Sequence, residues 1–100
     1  MKKNIPRCPL SSEESKAIWC RILREYELEP SSLLVLRHGL ESLERLREVQ
    51  VVIAKEGLQI PDRFKQLKAH PLLTIERDCR QLFIRAMRQL GLSWELPPAR

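Results

Sequence analysis

Glycine is scarce in this 100-residue chain: three occur, and none belongs to a Gly-x-x-x-x-Gly-Lys run. That run lets backbone amides wrap the phosphates of a nucleotide, so hydrolysis by a phosphate loop is excluded. Cysteine is also scarce, and odd in number. Cys8, Cys20 and Cys79 form no Cys-x-x-Cys spacing, which argues against a disulfide framework and a structural zinc site. No metal, cofactor or catalytic role is expected for the two histidines: His38 reads as a helix-surface residue and His70 as the cap before Pro71. Aromatic residues make up only 5% of the chain, and Trp19 and Trp94 lie in no alternation with basic residues, so no single-strand stacking platform is expected. No apolar stretch approaches the ~20 residues of a membrane span. The prolines at 6 and 9 and the polar residues from Ser11 break the apolar run that a signal peptide needs after Lys2-Lys3.

What is present is helical patterning. Residues 1–10 carry two prolines and read as an arm, pinned by Leu10. Ser11-Ser12-Glu13-Glu14 fits a capping box, in which a serine oxygen accepts from a first-turn amide and the glutamate three residues on reaches back. Ile18, Trp19, Ile22, Leu23 and Tyr26 then share one side of a first helix, expected to end near Glu29 because Pro30 restricts the residue before it. Ser31-Ser32 offers the next cap. Leu33, Leu36, Leu40, Leu43, Leu46, Val49 and Ile53 follow at helical spacing, and the β-branched run Val49–Ile53 is read as helix because a single strand has no partner and Gly57 stands where a C-cap belongs. Residues 57–70 form the longest connection, with Ile60 and Phe64 expected to tether it to the core.

The last helix is punctuated at both ends, by His70-Pro71 and by Gly91. Ile75, Cys79, Leu82, Phe83, Ala86, Met87 and Leu90 follow one face, while Arg77, Gln81, Arg85 and Arg88 project from the other. Cys79 is expected as a small buried hydrophobe. The fold class is therefore all-α, a small domain of about three helices over residues 11–92, with a short tail at 93–100 in which Trp94 docks. A domain this small buries a modest fraction of its surface, and association through helix faces supplements its stability. Leu34 and Val52 fall outside the main apolar arc and Ile84 sits among arginines, so these three are the expected oligomer contacts.

The net charge of +5 is unevenly placed: residues 63–88 hold Arg63, Lys65, Lys68, Arg77, Arg80, Arg85 and Arg88 against Glu76 and Asp78, seven minus two, and so contain the whole excess. Clustering of this kind points to an acidic partner, nucleic acid first. Arginine forks suit phosphate oxygens, and the expected DNA contacts are Arg63, Lys65, Lys68, Arg77, Arg85 and Arg88. In the competing reading, Arg77 and Arg88 pair with carboxylates across a subunit interface.

The order Leu10-Ser11, Trp19, Gly57, Lys68, His70-Pro71, Ile75, Asp78 and finally Leu90-Gly91-Leu92 resembles the small terminase subunit of tailed phages, in the family whose members end in a His/Asn-Pro helix followed by Leu-Gly-Leu. The likeness runs along nearly the whole chain. After Leu92 the sequence departs from the family's Thr-Pro-Ser and basic tail, reading Ser93-Trp94-Glu95-Leu96-Pro97-Pro98. The resemblance implies a non-catalytic, ring-forming homo-oligomer in the cytoplasm of a bacterial host. Its implied partners are double-stranded viral or satellite DNA and the large terminase subunit that cuts and pumps it. A small helical transcription regulator and a purely structural protein adaptor are the alternatives. The short helix-turn-helix of a regulator is not legible here.

Overall fold

In a computed structural model, residues 5–92 are described; Lys2, Lys3 and the expected tail anchor Trp94 lie outside them. Three helices and a two-stranded hairpin follow in the order α1 (Glu13–Glu25), α2 (Pro30–Glu56), β1 (Gln59–Pro61), β2 (Leu67–Ala69) and α3 (Leu72–Gln89). The mostly helical expectation holds, and the hairpin is an addition to it.

Helix α1 begins as a capping arrangement, but with one of its partners supplied from elsewhere. Ser12 is the N-cap, its Oγ accepting from the Ser15 amide at 3.1 Å. The residue three positions on is then Ser15, which has no carboxylate to reach back. Glu44 of α2 takes that role, accepting from the Ser12 amide at 2.6 Å and from the Ser11 hydroxyl at 3.3 Å. Glu14 is engaged by Arg47 of α2 instead, through Nε–Oε1 at 2.9 Å and Nη2–Oε2 at 3.0 Å. Two charged contacts thus join the start of α1 to α2.

Helix α1 ends at Glu25, four residues before the expected boundary, and Tyr26 is extended and half exposed rather than in the core. The cause is electrostatic. Glu25, Glu27 and Glu29 would oppose the negative end of α1, whereas Glu29 favours the positive end of the helix that follows. That helix starts with Pro30 at its first position and Glu29 as N-cap, ahead of the expected Ser31-Ser32 cap, because proline's fixed φ is already helical. Val49–Ile53 is helical as expected, and the Gly57 amide closes α2 on the Ile53 carbonyl at φ 91°.

Helix α2, about 40 Å long at 1.5 Å per residue, is the spine against which α1 and α3 pack. Its Leu36, Leu40, Leu43 and Leu46 are fully buried, with Ile18, Trp19, Ile22 and Leu23 from α1 and Cys79, Phe83, Ala86 and Met87 from α3 completing the core. Leu10 is buried in the same cluster, and the Trp19 indole donates to the Pro6 carbonyl at 3.0 Å, so the described part of the arm is held to the core. Gly39 marks a close approach of α2 and α3, since a Cβ there would stand 2.8 Å from the Ala86 Cβ. Ile75 and Leu82, expected on the packing face of α3, are 41% and 49% exposed. They lie at the rim of an arc centred on Cys79, Phe83, Ala86 and Met87, and only residues near its centre reach α2.

The end of α3 is closed by paired bonds from the Gly91 amide to the Arg88 carbonyl and from the Leu92 amide to the Met87 carbonyl. This is the Schellman geometry, made possible by Gly91 at φ 76°. Leu-Gly-Leu is therefore a helix stop whose last leucine packs back on the core.

Candidate nucleic-acid interface

The segment 57–70, expected as a plain connection, is an antiparallel hairpin with the register Gln59↔Ala69, Ile60↔Lys68 and Pro61↔Leu67. Three residues, Arg63, Phe64 and Lys65, form its tip. Asp62 organises them: its carboxylate Oδ1 accepts from the Phe64 and Gln66 amides at 2.8 and 3.0 Å, its carbonyl accepts from the Lys65 amide at 3.0 Å, and its amide donates to the Gln66 carbonyl at 2.8 Å. Lys65 adopts φ 60°, the left-handed residue that lets a three-residue loop match the twist of its strands. Asp62, the one acid between residues 57 and 70, is thus committed to the backbone. Arg63, Lys65 and Lys68 are exposed around it.

His70 fixes the base of the hairpin to the helices on either side. Its amide donates to the Leu58 carbonyl at 2.9 Å, and its ring is buried. Nδ1 accepts from the Leu72 amide at 3.1 Å, capping α3 as expected; the ring proton is then on Nε2, which donates to Glu56 Oε1 at 3.0 Å. The cap is made one residue before Pro71, which has no amide hydrogen to satisfy.

The tether expected from Phe64 does not exist. Phe64 is 70% exposed, because the hairpin carries it to the tip and away from the core; Ile60 alone is half-buried. The Arg63 guanidinium lies 5.0 Å from the centre of the Phe64 ring. Arg63-Phe64-Lys65 thus alternates basic and aromatic residues, a pattern that neither tryptophan has. Phe64 and its exposed neighbours Leu58 and Leu67 could have been found from their lack of any helical period.

The arginines of α3 form a second group. Arg77 is exposed and approaches Asp78 at 3.6 Å, while Arg80 pairs with Glu76 at 3.8 Å. Arg85 and Arg88 are exposed in the last turns of the helix. Arg88 stands about 24 Å along the axis from the start of α3. The hairpin joins α3 at its opposite end, so the six expected contact residues fall into a compact hairpin set and a stripe running away from it.

Of the expected oligomer contacts, Leu34 is 57% exposed, Val52 is half-buried, and Ile84 is half-buried against the core of its own chain. Leu34 and Val52 are eighteen residues apart, five helical turns, and share a face of α2. A shallow groove of about 250 Å³ between α2 and α3 is lined by Val35, His38, Gly39, Leu82, Arg85 and Ala86. Leu82, expected on the packing face, is more exposed than Ile84.

Cys79 is buried, as expected. Burial pushes its thiol pKa up, the Arg45 charge draws it part of the way back, and Asp78 adds a smaller rise. Among the described residues no group of three or more His, Cys, Asp or Glu side chains is placed to hold a metal ion, and no helix is long and apolar enough to cross a membrane. Compared with protein-family models, curated proteins and solved structures, the chain matches none.

Proposed function

We propose that this chain is a small terminase subunit, a non-catalytic adaptor that binds viral or satellite DNA and recruits and regulates the large motor and nuclease subunit in a bacterial host's cytoplasm. The motif order that ends in His70-Pro71 and Leu90-Gly91-Leu92 supports the packaging role. One observation carries the DNA contact: a hairpin whose single acid is bonded to its own backbone presents Arg63, Lys65 and Lys68 to solvent. Arg77, Arg85 and Arg88 add to this surface wherever a neighbouring subunit leaves them open. The contacts are mainly to phosphates, which position a duplex without reading its bases. Copies associate through Leu34, Val52 and Ile84 into a closed ring larger than a dimer, in which weak contacts on one duplex act at high effective concentration.

The test is duplex affinity as a function of salt. Each phosphate neutralised contributes about 0.9 to the log-log slope. A Lys65→Ala, Lys68→Ala double variant of unchanged oligomeric mass should lose affinity and lower the slope by roughly 1.8 for each subunit engaged. An unchanged slope and affinity would move the DNA surface off the hairpin, to the N-terminal arm with Lys2, Lys3 and Arg7. A salt-independent complex with an acidic protein and none with DNA would favour the structural-adaptor reading instead, for which the exposed Leu58 and Leu67 are the supporting observation.

A further inference from the structure

We propose that Phe64 is a base-stacking residue, so that the hairpin tip takes one unpaired nucleobase of single-stranded or locally opened DNA on the free face of its ring. This rests on the DNA-binding reading above and adds a second form of the ligand to it.

Phe64 is one of five aromatic residues in the chain and the most exposed large hydrophobic residue described. The turn itself does not require it. What the loop needs is the acceptor of Asp62 and the left-handed Lys65, and any residue fits the position between. The tip is held in place by four hydrogen bonds from or to Asp62, so the ring is presented on a fixed backbone and loses little freedom on contact. The Arg63 guanidinium covers one face of the ring at 5.0 Å, which leaves the other face for a planar partner. With one face already covered, the ring suits stacking on a single splayed base rather than insertion between two paired ones. The surrounding charge selects the class of partner. Lys65 and Lys68 are exposed on the same hairpin, which has no exposed carboxylate, so a flat apolar group linked to anions fits, and a nucleotide strand is that chemistry. Every base has a π-face, so one aromatic residue grips without sequence preference.

The experiment uses the full-length protein with a single-stranded oligodeoxynucleotide carrying 2-aminopurine and with a duplex of the same length, over a range of salt. Phe64→Leu keeps the apolar bulk and removes the π-face; Phe64→Trp keeps both. Loss of one base stack corresponds to about a 5- to 150-fold weaker single-strand complex. The expected result for Phe64→Leu is a loss in that range with an unchanged salt slope, a smaller change on duplex, and loss of the 2-aminopurine quenching that Phe64→Trp restores. Single-strand affinity and quenching unaffected by Phe64→Leu, while the duplex slope still depends on Lys65 and Lys68, would overturn the stacking proposal and leave the adaptor reading intact. A Phe64→Leu variant that changes the oligomeric mass without altering DNA affinity would make the ring a protein contact and likewise overturn it. A parent protein that binds neither oligonucleotide overturns both.

Discussion

Arg47 holds the beginning of α1 to α2, and removing it should be among the most damaging single changes at a polar position. Its guanidinium meets both oxygens of Glu14 at 2.9 and 3.0 Å and gives a third bond to Gln50 Oε1 at 2.8 Å. The two side chains of the ion pair retain only 22% and 33% exposure, so the pair is partly withheld from water. Hydrogen bonds to charged groups contribute about 1.5–3 kcal/mol, exposed pairs only about 0.2–1 kcal/mol. Arg47→Ala is therefore expected to cost about 2 kcal/mol, part of it from lost packing of the arginine stem. The matched control is Arg37→Ala, whose partner Glu41 is 3.4 Å away with both side chains about half exposed, and which should cost under about 0.5 kcal/mol. At about 4–8 °C per kcal/mol for a domain of this size, the two variants should differ in Tm by roughly 6–16 °C. Thermal and urea unfolding followed by Trp19 fluorescence, at one protein concentration because association adds stability, would measure this. A double-mutant cycle with Glu14→Gln isolates the pair, with an expected coupling of about 1–2 kcal/mol. A coupling below about 0.3 kcal/mol, or equal losses for Arg47→Ala and Arg37→Ala, would mean that the Arg47–Glu14 pair contributes no more than an exposed one.

At Gly39, where a Cβ would stand 2.8 Å from that of Ala86, Gly39→Leu should separate α2 from α3 and lower stability by about 2–3 kcal/mol, as read by urea unfolding. His70→Ala removes the acceptor that caps α3 and should cost about 1–2 kcal/mol, whereas His70→Asn supplies a capping oxygen and should keep most of it; equal losses would assign the effect to Glu56 alone. The raised Cys79 pKa makes its thiol resist alkylation by iodoacetamide while half-buried Cys8 and Cys20 react. Because the folded state favours the protonated thiol, the associated stability is full below the unfolded thiol's pKa and is lost as pH rises through the raised folded value.

The helices were legible because their signals are local and redundant. The apolar residues of α2 repeat at helical spacing from Leu33 to Ile53, about five and a half turns, and Gly57, Pro71 and Gly91 each mark an end that the backbone can hardly place elsewhere. Glu25, Glu27 and Glu29 are the sequence signal for the early end of α1, a weaker one than the nearby proline. The hairpin was not legible. Its strands are three residues each, its tip lacks the Asn-Gly or Asp-Gly that marks such turns, and a lysine stands at the left-handed position usually given to glycine. Hydrophobicity alone therefore points Phe64 to the core, whereas the hairpin exposes it. The partnership of Glu44 with Ser12 and of Arg47 with Glu14 joins residues more than thirty positions apart, a distance over which no spacing rule operates.

If copies of this chain close into a ring that grips duplex DNA, as proposed, a native mass spectrum taken with and without a duplex will show it. The expected spectrum shows one assembly of more than two chains, which gains the mass of a single duplex and loses it as ammonium acetate concentration rises. A mass of one or two chains, unchanged by DNA, would contradict the claim.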